Sequence, residues 1–308
     1  MMIRPKRLQK GDTVGVVAPA SPPDLKHLHQ AIPFLNQQLG LQVKIGAHVS
    51  SKYGYLAGKE QERIEDLHHM FLDPEIDGII CAGGGYGTGR LVTEIDYSII
   101  KENPKVFWGY SDITFLHTAI RQQTGLVTFH GPMLSSDVGI ENFDEVSKSM
   151  FQQLFKPTAI HYTEVKSPLH IHAEGEATGE VVGGNLSLLV NSIGTPFEID
   201  TKGKLLLVED VGEEPYRIDS FFNQLKMAGK FNEAIGIIIG DFSQTTPVKT
   251  KETLSLSQVF DHYFTSMNKP VLSGFKIGHC LPHYAVPLGT MATLSSTKKS
   301  LVVDAGVN

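Results

Sequence analysis

In the first half of the chain, short apolar runs alternate with segments whose apolar residues recur at helical spacing. The runs typical of strands are TVGVVAP (13–19), LQVKIG (41–46), DGIICAG (77–83), KVFWGY (105–110) and LVTFHGPM (126–133). Helical periodicity covers 24–39, 59–72, 113–125 and 142–155, and Gly125 stands where the third helix should end. Strands separated by helices at this spacing predict an α/β domain with a mostly parallel sheet.

In the second half, both types of pattern return after a stretch that has neither. The segment 156–180 loses helical periodicity and alternates polar with apolar residues around two prolines. Beyond it the strand-like runs are KLLLVED (204–210), EAIGIIIGDF (233–242), PVLSGFKIGH (270–279) and 288–304, with helices near 215–229 and 255–266. The sequence therefore predicts an N-terminal α/β domain over 1–155, a linker over 156–175, and a smaller mixed α/β domain over 176–308.

Composition and charge exclude several classes of protein. The chain has 308 residues, 41% hydrophobic and 19% charged, with a net charge of -6 and no block of Lys/Arg longer than two, so a nucleic-acid partner is not expected. No apolar run reaches the ~18 residues that span a bilayer, and the N-terminus lacks a signal-peptide pattern, which predicts a cytoplasmic protein with no membrane partner. Cys81 and Cys280 lie in apolar contexts typical of buried free thiols.

The stretch GYSDIT (109–114) could hold a nucleophile. Ser111 follows a predicted strand and opens a predicted helix, as in the G-x-S-x-G elbow, but the second glycine is missing and Asp112 follows. A serine at this junction lies at the carboxyl edge of a parallel sheet, where open α/β folds place their ligands. The same serine could equally be a helix cap, with Asp112 complementing the helix dipole. These six residues leave both interpretations open.

A second strand-to-helix junction, CAGGGYGTGR (81–90), is rich in glycine. Glycines at this density let backbone N–H groups point into a cavity, which suits a carboxylate or a developing oxyanion. Arg90-Leu91 stands where a phosphate-binding P-loop needs Lys and Ser/Thr, so a nucleotide site does not fit. A tight turn without a ligand is the alternative.

Two further predicted strands end in residues that could complete a catalytic set. KLLLVED stops at Glu209-Asp210, and VLSGFKIGH ends at His279. A serine nucleophile needs a base, and the base needs a carboxylate that fixes its tautomer. Taken singly, Glu209 could be a surface ion-pair partner and His279 is one of 13 histidines.

The other histidines indicate less. His170 and His172 would share a strand face, but no third metal ligand lies near them in sequence, so no metal site is predicted. His130 could line the cleft or belong to the core, and His68-His69 are expected to face solvent.

With these stretches assembled, the chain resembles the LD-carboxypeptidase family of serine peptidases, which includes the microcin-C immunity peptidases. The matching blocks are GDTVGVVAPAS (11–21), GGYGTGRL (84–91), GYSDIT (109–114), HGPM (130–133), GGNLSLL (183–189), EDVGEEPYRIDS (209–220) and GFKIGHC (274–280). The resemblance implies an N-terminal α/β domain and a C-terminal domain with the active site between them, in a homodimer.

The resemblance also implies roles for individual residues. The triad would be Ser111, Glu209 and His279, and the oxyanion hole would be the backbone N–H groups of Asp112 and Gly85. The substrate-binding candidates, with Arg90 as a further cation for the substrate carboxylate, are Gly84, Tyr86, Asn185 and Arg217. One departure is Gly83, where many members carry arginine.

The implied activity is release of the terminal D-alanine from a murein tetrapeptide, cut after the L-centre of meso-diaminopimelate, during recycling of cell-wall peptides. The expected partner is therefore a small peptide, and neither a cofactor nor a metal is required. Two alternatives remain at this point: an immunity-type peptidase that hydrolyses peptidyl or aminoacyl nucleotide analogues, and a muropeptide-binding protein without turnover.

Overall fold

A computed structural model describes residues 2–246 and 252–308 of the protein. The chain divides into two compact units. Unit 1 comprises Met1–Thr158, Tyr284–Gly289 and Ala305–Asn308, and unit 2 comprises Ala159–His283 and Thr290–Asp304. Each unit contains one sheet, so the predicted α/β class is confirmed.

Unit 1 is built on a six-stranded sheet. Five of its strands come from the first half of the chain: β1 (Thr13–Val17), β2 (Gln42–Ile45), β3 (Gly78–Cys81), β4 (Val106–Gly109) and β5 (Thr128–His130). The sixth, β12 (Val286–Leu288), comes from near residue 290 and is the twelfth strand in chain order. The spatial order is β12-β5-β4-β3-β1-β2, and all neighbours are parallel except β12, which runs antiparallel to β5. Strands β3 and β4 are fully buried, as their unbroken apolar runs predict.

Several helices of unit 1 begin at an aspartate that caps their first turn, as Asp24, Asp96 and Asp144 do. The helices of this unit are α1 (Leu25–Pro33), α2 (Glu60–Leu72), α3 (Tyr97–Glu102), α4 (Thr114–Thr124) and α5 (Glu145–Ser149). Asp24 caps α1 by accepting the N–H of His27 at 3.0 Å, and Gly125 ends α4 in the left-handed conformation at φ 79°. The predicted C-terminus of α4 is thus confirmed.

Unit 2 contains an eight-stranded mixed sheet. Its strands in chain order are β6 (Ile160–Thr163), β7 (His170–Ala173), β8 (Glu176–Asn185), β9 (Leu205–Val211), β10 (Gly236–Ser243), β11 (Val271–Ser273), β13 (Met291–Ser295) and β14 (Ser300–Val303), β12 being the strand of unit 1. The spatial order is β6-β14-β13-β8-β9-β10-β11-β7. The central four strands, β8 to β11, are parallel, and the outer strands are antiparallel to their neighbours.

The part of unit 2 that the structure describes contains four helices: α6 (Leu186–Ser192), α7 (Pro215–Met227), α8 (Lys230–Glu233) and α9 (Leu256–Phe264). Pro215 occupies the first turn of α7, where its missing N–H costs no helical hydrogen bond. A capping box between Ser255 and Gln258 starts α9. The apolar faces of these helices pack with β9 and β10 into one core around Phe222 and Phe264.

Two of the predicted boundaries differ from the structure. The segment 156–175 is not a linker, because it contributes β6 and β7 to the sheet of unit 2. The C-terminal domain is not continuous over 176–308 either, since 284–289 and 305–308 belong to unit 1. Both differences arise from strand pairing or packing with residues distant in sequence, which the local pattern does not reveal.

Candidate active site

Ser111 lies in a strained elbow between β4 and α4. Its φ is 61°, in the left-handed region that an L-residue with a side chain occupies at a cost of about 1–2 kcal/mol. The chain turns through a single 3₁₀ turn, Ser111–Ile113, before α4 begins. The N-cap position of α4 is Ile113, which makes no side-chain cap hydrogen bond. The conformation therefore favours the nucleophile interpretation over the helix cap.

The glycine loop lies directly against Ser111. A Cβ on Gly84 would stand 3.0 Å from the Cβ and 3.1 Å from the Oγ of Ser111. Ser21 holds this loop from its other side: its N–H donates to Gly84 O at 3.2 Å, and its Oγ accepts the N–H of Tyr86 at 3.1 Å. Gly85 has φ 108°, and a Cβ there would clash with Ser21 Oγ. At this position the loop therefore requires glycine.

Two buried charged side chains, Asp112 and Arg63, hold the same loop through hydrogen bonds. The Asp112 carboxylate, 1% exposed, accepts the N–H of Thr88 at 2.8 Å. The Arg63 side chain on α2 is fully buried and donates to Pro19 O at 2.6 Å and to Gly87 O at 3.0 Å. Burial raises the pKa of Asp112, while the hydrogen bonds from Thr88 and the charge of Arg63 act in the opposite direction. The elbow and the glycine loop are therefore tied together by side chains as well as backbone.

A buried histidine supports the strand that leads into the elbow. His117 on α4 is 1% exposed, and its Nε2 lies 2.8 Å from Gly109 O. Because a carbonyl can only accept, Nε2 carries the proton. Burial lowers the pKa of His117 to about 4, so the ring is neutral at physiological pH. His130 is also fully buried, edge-to-face with Tyr110, and so belongs to the core of unit 1.

In unit 2, the buried Glu209 pairs with His279, whose side chain is 17% exposed. Glu209, near the end of β9, is 0% exposed, and its Oε2 lies 2.8 Å from Nδ1 of His279. The carboxylate accepts the Nδ1 proton, so the lone pair of the neutral imidazole is on Nε2. That is the tautomer a general base for a serine needs.

His279 does not end a strand, contrary to the sequence prediction. Strand β11 stops at Ser273, and five loop residues, 274–278, lead to His279. Gly278 makes this path possible with φ 118°, since a Cβ there would lie 2.5 Å from Oε2 of Glu209. The glycine immediately before His279 is the sequence signal for this close approach, which was not predicted from the sequence. Arg63, Ser21 and His117 were missed as well.

The predicted substrate-binding residues fall into different environments. Tyr86 is 52% exposed and packs edge-to-face with Tyr55, whereas Asn185 is buried, caps α6 and donates to Asp210 at 3.0 Å. Arg217 is half exposed, 3.5 Å from Glu213, with its guanidinium over Phe221. Asn185 thus has structural partners, while Tyr86 and Arg217 remain accessible. Arg90, the further candidate cation, forms an ion pair with Glu60 at 2.5 Å.

Among the described residues there are free thiols, but there is neither a metal-binding cluster nor a membrane-spanning helix. Cys81 is buried and Cys280 half-buried, and both are free thiols whose pKa is raised by burial. Within residues 2–246 and 252–308, no three His, Cys, Asp or Glu side chains are grouped so as to hold a metal ion. In the same ranges, no helix combines the length and the apolar character needed to cross a bilayer.

Comparison with known proteins gives matches along most of the chain. A family model described as the LD-carboxypeptidase N-terminal domain matches residues 14–131, and the LD-carboxypeptidase C-terminal domain matches residues 178–294. The "Probable murein peptide carboxypeptidase" of Bacillus subtilis is 56% identical over 305 residues, covering 99% of this chain and 95% of that protein.

Two solved structures extend the likeness to the fold. A muramoyltetrapeptide carboxypeptidase from Oxalobacter formigenes superposes with a TM-score of 0.84 at 26% identity, covering 95% of this chain and 98% of that one. An MccF-like protein from Bacillus anthracis superposes with a TM-score of 0.87 at 28% identity, covering 98% and 99%.

Proposed function

The chain belongs to the LD-carboxypeptidase family of serine peptidases, and on that premise we propose that it releases the terminal D-alanine from murein tetrapeptides in recycling of cell-wall peptides. The observation that carries the proposal is the strained Ser111 beside its glycine loop, in a chain 56% identical to a murein peptide carboxypeptidase. A positive φ at a serine costs stability, and such strain is typical of sites where function requires it.

In the proposed mechanism, Ser111, Glu209 and His279 act as a triad. Nε2 of His279 accepts the proton of Ser111 as its Oγ attacks the carbonyl carbon of the last peptide bond, and the imidazolium then protonates the departing amine of D-alanine. Glu209, 2.8 Å from Nδ1, holds the ring and stabilises its charged form. Water attacks the acyl-serine in the reverse sequence and releases the shortened peptide.

The oxyanion would be bound by the backbone N–H groups of Asp112 and Gly85. The proposal for Asp112 rests on its position after the nucleophile, at the start of a helical segment whose dipole favours negative charge. The proposal for Gly85 rests on the contact of the preceding Gly84 with Ser111. Arg217 and Tyr86, both accessible, are proposed to bind the substrate carboxylate and the peptide.

The test replaces the nucleophile. Ser111→Ala should lower kcat for D-alanine release from a tetrapeptide by at least about 1,000-fold, because the covalent route is lost. Ser98→Ala is the control, since its Oγ bonds only locally to Asp96 at 2.6 Å, and it should retain wild-type kcat. Residual activity of Ser111→Ala within tenfold of the wild type would refute the nucleophile assignment. Tetrapeptide binding by the wild type without any D-alanine release would instead favour a non-catalytic binding protein.

A second function within the same class is favoured by the match to the MccF-like structure, whose TM-score is the higher of the two. An immunity-type peptidase would hydrolyse an aminoacyl sulfamoyl adenosine faster than a murein tetrapeptide. Turnover of both compounds, measured side by side as kcat/KM, separates the two functions. A higher kcat/KM for the nucleotide analogue would overturn the proposed murein substrate. It would leave the proposed triad unchanged. We further propose that the enzyme is a cytoplasmic homodimer, which fractionation and light scattering would test.

A further inference from the structure

Unit 2 also contains a cluster of one serine, one histidine and one aspartate that is distinct from the Glu209–His279 pair. Ser273 ends β11, His172 lies on β7, and Asp261 lies on α9. Nε2 of His172 is 2.8 Å from Ser273 Oγ, and Nδ1 is 3.3 Å from an Asp261 carboxylate oxygen. Three side chains from three separate elements thus meet in the order that activates a serine.

The hydrogen bonds also fix the proton positions in this set. The Asp261 carboxylate can only accept, so Nδ1 of His172 carries the ring proton and Nε2 presents its lone pair to Ser273. The imidazole is 9% exposed and is held edge-to-face by Phe260 at 5.8 Å and Phe264 at 6.3 Å. A ring locked in this way is oriented before any ligand arrives, which is a requirement for a general base.

Ser273 opens onto a cavity of about 350 Å³, comparable to small ligand pockets. Its apolar wall includes Phe242, Phe260 and Phe275, and Lys276 and Asp241 contribute opposite charges 3.7 Å apart. Because Ser273 stands at the carboxyl end of a parallel strand, the cavity lies where α/β sheets bind ligands. The aromatic wall and the balanced charges suit a small, uncharged acyl compound.

We propose that Ser273, His172 and Asp261 form a second esterase site that cleaves small, uncharged carboxylic esters. Ser273 Oγ attacks the ester carbonyl carbon while its proton passes to Nε2 of His172. The alcohol departs with that proton, leaving an acyl group on Ser273. A water molecule then loses a proton to His172 and attacks the acyl group, so that one ester and one water yield one acid and one alcohol. Asp261 positions the ring throughout.

The experiment uses the full chain with the family nucleophile removed. Ser111→Ala protein is incubated with a fluorophosphonate probe, and the labelled peptide is identified by mass spectrometry; in parallel, hydrolysis of 4-nitrophenyl acetate is followed. We expect the label on Ser273, where Oγ forms a bond to phosphorus and fluoride leaves. Adding Ser273→Ala should abolish labelling, and adding His172→Gln should slow it by at least about 100-fold, the lower end of the contribution of a general base.

Two further variants control for folding and for the orienting carboxylate. Ser192 is also buried and donates to Leu189 O at 2.7 Å, so Ser192→Ala in the same background should leave labelling unchanged. Asp261→Asn should slow labelling less than His172→Gln, because the carboxylate is 59% exposed. Labelling of any residue other than Ser273, or none in the Ser111→Ala protein, overturns the proposal. If His172→Gln unfolds, the site of the label still decides.

Discussion

Replacement of Gly278 by alanine would test whether the Glu209–His279 pair depends on a missing side chain. The new Cβ would lie 2.5 Å from Oε2 of Glu209 and 2.9 Å from its Cβ and Cδ, whereas ordinary contact begins at 3.4 Å. The carboxylate oxygen must therefore retreat by about 0.9 Å, a displacement that costs roughly 100-fold in rate where alignment is critical. The 2.8 Å hydrogen bond to His279 cannot survive this movement intact.

Backbone strain adds to the clash. At φ 118°, an alanine costs about 1–3 kcal/mol before any contact is counted. Together with overpacking of about 1–3 kcal/mol, we expect the free energy of unfolding to fall by about 2–6 kcal/mol. In D-alanine release, kcat should fall by about 100-fold with KM nearly unchanged, because positioning of the base rather than substrate binding is lost.

A matched variant separates strain from displacement. Gly203 also has a positive φ, 68°, but nothing lies within 4 Å of its added Cβ. Gly203→Ala should therefore lose about 1 kcal/mol of stability and keep wild-type kcat. If Gly278→Ala kept kcat within twofold of the wild type, or changed only KM, the reasoning from the Glu209 contact would be wrong. Urea unfolding and steady-state kinetics supply both measurements.

Two neighbouring glycines and one buried acid give further predictions. Gly84→Ala should lower kcat by about tenfold, since its Cβ would press on Ser111, whereas Gly83→Ala, with nothing within 4 Å, should not; equal effects would contradict the contact. Burial and the charge of Glu209 raise the pKa of Asp210 from 3.8 to about 6, so its ionisation destabilises the fold as pH rises. The free energy of unfolding of the wild type, minus that of Asp210→Asn, should therefore fall by about 2 kcal/mol between about pH 4.5 and pH 7.5, as measured by urea unfolding. A difference that rises or stays constant over this range would contradict the raised pKa.

Local pattern was sufficient to predict parallel strands such as β3, β4 and β9, because their apolar runs are uninterrupted and buried. Gly125 marked the end of α4 because glycine tolerates the left-handed conformation, here φ 79°, in which helices often end. The segment 156–175 could not be assigned in this way. Its strands are short, and β6 and β7 form only because distant strands, β14 and β11, offer hydrogen-bond partners.

The candidate site was predictable where chemistry coincides with a strand end. Ser111 and Glu209 each follow or end a buried apolar run, so the sheet edge located them. His279 was identified by chain order and by the family resemblance, while its loop path depends on the positive φ of Gly278. Arg63 reads in sequence as an ordinary exposed residue of an amphipathic helix. Only the fold brings the carbonyls of Pro19 and Gly87 to its guanidinium.

The return of the chain into unit 1 has a consequence for synthesis. Strand β12 completes the sheet of unit 1 only after the first segment of unit 2, Ala159–His283, has been translated, and residues 305–308, whose Val307 is 1% exposed, join its core only after both segments. A nascent chain therefore carries an unfinished N-terminal sheet, with the edge of β5 uncovered, until residues 286–288 have been synthesised. Deleting residues 305–308 would remove core contacts from the half of the molecule that was made first.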